Sequence, residues 1–173
     1  MCNLERFKID LKNLIDETTT VSYDLDDSYF QALEGAEIES GVLHVSVSIR
    51  KVSGFFEFLF HTKGMVIVTC DRCLDAMEQP IEGENRVVVK LGAEYSEEDD
   101  TITIDENEGI LDVAWLIYEF IELAIPIKHV HAPGKCDPAM TKVLEELSAD
   151  RSSDEASEQP IDPRWEKLKD LKV

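Results

Sequence analysis

Cys70-Asp71-Arg72-Cys73 sets two thiols on either side of two intervening residues, at the end of a strand-like run. A third thiol, Cys136, lies far downstream, with His131 five positions before it. A C-x-x-C turn lets two thiolates face one ion, and zinc takes four such ligands in a tetrahedron. Cys70 and Cys73 would give one edge of that tetrahedron, Cys136 a third ligand, and His131 or His129 the fourth. Pro133-Gly134 makes the turn between the last two ligands. A closed site of this kind leaves no position for water, so it is structural. It couples metal binding to folding and forces two distant parts of the chain together. The rival chemistry is thiol redox, which wants the motif at a helix start within a βαβ unit. Here strands precede the motif and no helical pattern follows it. Asp71 beside the first thiol is expected to raise its pKa and oppose activation. Unmetalled thiols are the remaining alternative. Cys2 reads as a bystander, and His44 and His61 sit in strand patterns as ordinary residues.

The 173 residues suit one domain with a tail, and a 43% apolar fraction is enough for a core. Net charge is −20, from 37 acids against 17 bases, and such a surface repels phosphate backbones at long range. A basic protein partner fits this balance better than unaided nucleic-acid binding. The start, Met1-Cys2-Asn3-Leu4-Glu5-Arg6, lacks the apolar stretch of a secretory signal. The longest apolar run, Ile110 to Ile127, carries Asp112, Glu119 and Glu122, too many charges to cross a membrane. The expectation is a cytoplasmic protein. In a reducing cytosol, a few cysteines with one C-x-x-C read as metal-binding or redox-active and not as a disulfide framework.

Leu43, Val45, Val47 and Ile49 alternate with polar residues, which predicts a strand with one face buried. Phe56, Phe58 and Phe60 alternate likewise; Gly64 breaks the run and Met65 to Thr69 resumes it. Phe7 to Leu11, Val21 to Leu25, Arg86 to Leu91 and Thr101 to Ile104 are further strands, with a turn over 16–20. Asp27 or Ser28 caps a short helix carrying Tyr29, Phe30 and Leu33. A mostly buried helix is expected from Ile110 to Ala124, stopped by Pro126. An extended segment follows from Ile127 to His131, and a short helical pattern runs from Thr141 to Leu147. The fold class is α+β: a mainly antiparallel sheet or partial barrel with one buried helix and a metal staple. A β-rich domain spans 1–147. An acidic linker and C-terminal docking segment spans 148–173.

Glu94 to Glu108 is acidic and reads as a solvated loop; its spacing lacks the alternating ligands and central Gly of a calcium loop. In the tail, Trp165 and Leu168 fall on one side of a helical turn and dock either on their own domain or on a partner. No G-x-S-x-G, P-loop, G-x-G-x-x-G or H-E-x-x-H occurs. No enzyme activity and no small-molecule substrate are expected.

Several features recur in a fixed order: a β-rich first half, Thr69-Cys70-Asp71-Arg72-Cys73-Leu74, an acidic stretch, then a helix ending Leu123-Ala124-Ile125-Pro126-Ile127. Cys136 follows, and Asp162-Pro163-Arg164-Trp165-Glu166-Lys167-Leu168 closes the chain. This order resembles the YceD family of bacteria and plastids over nearly the whole length. The resemblance implies a non-enzymatic factor linked to accumulation of large-subunit (23S) ribosomal RNA, whose bacterial gene typically neighbours that of a large-subunit ribosomal protein. It also implies a metal site. Cys70 and Cys73 match the family's first pair, Cys136 its later cysteine, and His131 a place where members can carry a histidine. Many members have a further cysteine after the position of Cys136, where this chain has Asp137-Pro138-Ala139-Met140. The expected partner is a basic ribosomal protein or a pre-ribosomal particle. A second reading is direct RNA contact through a local basic patch of Lys63, Arg72, Lys128 and Lys135. A thiol redox protein is the third.

Overall fold

The computed structural model describes residues 4–14, 17–33, 35–98 and 101–148. Trp165, Leu168, Cys2 and the tail from 149 onward lie outside the described residues. The chain divides into units 1–136 and 137–173.

The first unit is organised by three long strands. β1 (Lys8–Asp10) and β2 (Thr18–Leu25) precede helix α1 (Asp27–Ala32), and β3 (Gly41–Val52) turns into β4 (Phe55–Thr69) through Ser53-Gly54. Gly54 sits at φ +89°, a conformation that glycine adopts at no steric cost. β5 (Ala76–Gly92) pairs antiparallel with β4 from Thr69↔Ala76 to Phe56↔Val89. The short strands β6 (Ser96–Glu98) and β7 (Thr101–Asp105) follow, and β7 runs parallel to β5. The result is a six-stranded mixed sheet in the order β2-β3-β4-β5-β7-β6, open at its ends and not a closed barrel. β8 (Ile110–Asp112) pairs with β1 in a separate two-stranded ribbon.

Alternation decides which face is buried. Leu43, Val45, Val47 and Ile49 of β3 point inward with Phe56, Phe58 and Phe60 of β4. Helix α2 (Ala114–Leu123) covers this face with Ile117, Tyr118 and Ile121, and Phe120 meets Phe60 edge-on at 5.0 Å between ring centres. A second aromatic group, Phe7, Tyr23, Tyr29 and Phe30, fills the core beside β1 and α1. Two hydroxyls tie loops to this core. Tyr29 donates to the Ala114 carbonyl at 2.7 Å, and Tyr118 accepts the amides of Glu37 and Ile38 at 2.7 and 3.3 Å. His44 and His61 lie on the exposed face against Asp24 and Glu84.

The structure corrects several boundaries. The helix expected from Ile110 starts only at Ala114. Ile110 to Asp112 pair with β1, and the Asp112 carboxylate accepts the Ala114 amide at 2.9 Å. The cap of α1 is Asp26, whose carboxylate accepts the Ser28 amide. The 94–108 stretch is not a loop: it contains β6 and β7, and Ile102 and Ile104 are buried. Between Ile127 and His131, Ile127 and Lys128 form bends and His129 to His131 belong to no helix or strand. In the second unit, α3 (Pro138–Leu147) is capped by the Asp137 carboxylate, which accepts the Met140 amide at 2.7 Å.

Gly64 does not interrupt β4, which runs through it. Its missing side chain lets β3 approach. A Cβ there would fall 2.3 Å from the Val42 carbonyl oxygen and 2.5 Å from the Leu43 Cα, both backbone atoms. Gly64→Ala is therefore expected to lower stability by about 1–3 kcal/mol through forced backbone shifts. A urea melt should show a lower midpoint.

Candidate metal centre

The tip of the β4–β5 hairpin carries the first two thiols. After Thr69 the chain makes a tight knuckle: Cys70 donates its amide to the Asp75 carbonyl at 2.8 Å, and Leu74 donates to the Cys70 carbonyl at 2.9 Å. Closing so tight a turn puts Leu74 at φ +64°, the one non-glycine with positive φ among the described residues.

The segment after α2 supplies the other donors. Pro126 ends any helical continuation, and the chain is then clamped to the knuckle. The Asp71 amide donates to the His129 carbonyl at 3.0 Å, and the His129 amide donates to the Asp71 carboxylate at 2.8 Å. The His129 ring nitrogen Nδ1 faces the Pro126 carbonyl at 3.0 Å. His129 thus braces the segment, while His131 turns inward. Its Nδ1 lies 3.3 Å from Cys73 Sγ, and its amide lies 3.5 Å from Cys70 Sγ. A turn at Ala132 to Lys135, with Gly134 at φ +80°, brings Cys136 back.

The ligand atoms of Cys70, Cys73, His131 and Cys136 all lie within 4.8 Å of one another. Zinc–sulfur bonds of about 2.3 Å in a tetrahedron put sulfurs about 3.8 Å apart, so this spacing is that of a site that closes on an ion with small adjustments. Cys70 and Cys73 are buried, and His131 and Cys136 are half-buried. The three thiols form no disulfide. Three soft sulfurs and one imidazole are a donor set suited to zinc.

The electrostatics differ from the expectation. The first thiol is lowered and not raised, and the Asp71 carboxylate accepts the His129 amide. Burial opposes ionisation of Cys70, but the backbone amides of Cys73, His131 and Arg72 aimed at its sulfur outweigh it. The thiol falls from 9.0 to about 6. Cys136 goes the other way, raised by burial and by the thiols of Cys73 and Cys70. The fold thus pushes the two thiols in opposite directions.

The profile of the family described as "Large ribosomal RNA subunit accumulation protein YceD" matches residues 58–172. The chain belongs to the YceD family. The match begins at Phe58 inside β4 and includes all four clustered donors. No curated protein and no solved structure matches the chain. Among the described residues of this YceD-family protein, no helix is long and apolar enough to cross a membrane.

The four basic residues expected near the centre are all exposed. Arg72 belongs to the knuckle, and Lys128 and Lys135 to the segment clamped against it. Lys63, on β4, is paired with Glu82 at 3.1 Å. Two features escaped the sequence reading. One is the Asp71–His129 clamp, which has no spacing signature. The other is Leu74 in a left-handed conformation, whose signal is a bulky residue directly after the second cysteine of a tight turn.

The low Cys70 pKa has a consequence for the metal-free protein. Between about 6 and 9 the unfolded thiol holds a proton that the folded one has released. Unfolding there takes up a proton, so stability rises with pH across this window and the contribution is lost as pH falls through 6. With chelator and reductant present, the melting temperature should climb from pH 6 to 9, and Cys70→Ser should flatten the climb.

Proposed function

We propose that this protein is a non-enzymatic accessory factor in the accumulation and maturation of the large ribosomal subunit. In this reading it acts in the cytoplasm and binds a basic ribosomal protein or a precursor particle. The family match over residues 58–172 carries the reading. Two physical features support it. The −20 charge suits a cationic partner, which it neutralises until ribosomal RNA competes that partner away. The cysteine–histidine cluster, with four donors within 4.8 Å of one another, suits a structural ion better than a catalytic one.

In the same proposal Cys70, Cys73, His131 and Cys136 hold one zinc ion. Bound zinc would neutralise the thiolates and staple the hairpin tip to the segment after α2. The protein's own part is to preset the donors through the hairpin knuckle and the Asp71–His129 clamp. Residues 1–147 would act as the β-rich domain and 148–173 as a linker and docking segment, with Trp165 and Leu168 as its anchors.

Direct RNA contact is a second reading, favoured by the exposure of Arg72, Lys128 and Lys135 on the two segments of the knuckle. If it holds, RNA affinity falls steeply with salt and with charge reversal at those three positions.

Two experiments test the main proposal. Affinity purification from lysate in moderate salt should recover large-subunit proteins or precursor particles; recovery of neither overturns the ribosomal role. Metal analysis of protein purified without chelator should find one zinc per chain. Cys136→Ser should then lower zinc affinity by more than the about 10–100-fold that loss of an outer partner costs. His129→Ala should leave the metal stoichiometry unchanged, which separates the brace from the ligand.

A further inference from the structure

A groove of about 710 Å³ opens beside the hairpin tip, between the residues that lead into β3 and the segment after α2. Its apolar surface includes Ile67, Leu74 and Ile127, which are 38%, 67% and 103% exposed. Its acidic groups are Glu37, Glu39, Asp71 and Glu122. His129 is the one potential cation in the lining, and it is already engaged by Asp71. The wall at Glu37 and Ile38 is fixed from behind, because both amides donate to the buried Tyr118 hydroxyl. One wall of the groove is therefore preformed, and its lining combines exposed apolar side chains with carboxylates.

Leu74 gives the groove a second, independent peculiarity. The turn after Cys73 needs a left-handed residue, and glycine adopts that conformation without strain. Leucine pays a steric penalty there and, being two-thirds exposed, recovers little of it by packing on its own fold. Among the described residues, neither the conformational nor the burial preference of Leu74 is met. An apolar side chain held at a strained position in the mouth of an acidic groove is the expected form of an anchor for something not yet bound.

We propose that this groove docks an extended, lysine- and arginine-rich peptide segment of a partner protein, with an apolar side chain of that segment seated against Leu74, Ile67 and Ile127. The assignment deepens the ribosomal reading, on which its biological partner rests. Charge complementarity selects this occupant: cationic side chains reach Glu37, Glu39 and Glu122, while a phosphate backbone meets the same carboxylates as repulsion. The preformed wall lowers the ordering cost of binding.

The test uses the full chain and fluorescence anisotropy with a synthetic twelve-residue Lys/Arg peptide carrying a central leucine. Leu74→Gly is the decisive variant, because it relieves the backbone. Its melting temperature and zinc content should hold or rise, while peptide affinity falls at least about tenfold, as loss of an interface anchor does. Ile127→Ser, at a fully exposed position, should weaken binding in the same direction, and Glu39→Lys should weaken it most at low salt. Unchanged affinity in Leu74→Gly overturns the assignment, as does equal binding of a peptide with its cationic residues replaced by glutamate. Tighter peptide binding on Trp165→Ala gives the groove to the chain's own C-terminal segment, and binding of a single-stranded RNA oligonucleotide that Leu74→Gly abolishes gives it to RNA; either result overturns the proposal. Recovery of large-subunit protein by wild type and Leu74→Gly alike leaves the ribosomal reading standing and removes the groove. If wild type recovers none, that reading falls and the peptide measurement decides the groove by itself.

Discussion

Packing of α2 on the inner face of β3–β5 fixes the rest of the molecule. Burial of Ile117, Tyr118 and Ile121 together fixes which side of the helix meets the sheet. That placement sets where the chain leaves at Ala124 and turns at Pro126, and so where His131 and Cys136 arrive. The same helix positions the Tyr118 hydroxyl that gathers residues 37 and 38. The cysteine–histidine cluster and the groove thus both depend on one helix–sheet contact.

Much of this was legible in the residues, and the misses have physical causes. Period-two alternation located β3 and the phenylalanine half of β4 because one face of each is buried. The first half of β5 escaped because Glu78, Glu82 and Glu84 are exposed and Pro80 argues against a strand, although it pairs with Met65. Ile110 to Asp112 looked helical because the run of mostly apolar residues continues through Asp112 into α2. The switch to a strand is set by pairing with β1, 100 or more positions earlier. The four clustered donors were named from spacing and family likeness. The choice between His129 and His131 was not legible, because it depends on where Asp71 points.

The electrostatics divide between surface and interior. Most of the charge is solvated and acts at long range. Inside the knuckle the balance reverses, since amide dipoles converge on Cys70 and make an anion easy to hold in an otherwise acidic protein. Exposed ion pairs such as Lys63–Glu82 and Lys142–Glu146 add little to stability. The fold rests instead on its sheet and aromatic core.

The separation of the donors along the chain also imposes an order in time. β3, β4 and β5 are joined by short turns, and their contacts close small loops, so this meander can assemble as soon as it has been synthesised. Thiols 70 and 73 then stand ready at its tip while their counterparts do not yet exist. Only when translation has passed residue 136 can the ring of donors close. A nascent chain therefore spends part of its synthesis with two reactive sulfurs waiting, and completion of the fold becomes a late event, after the helix has found the sheet.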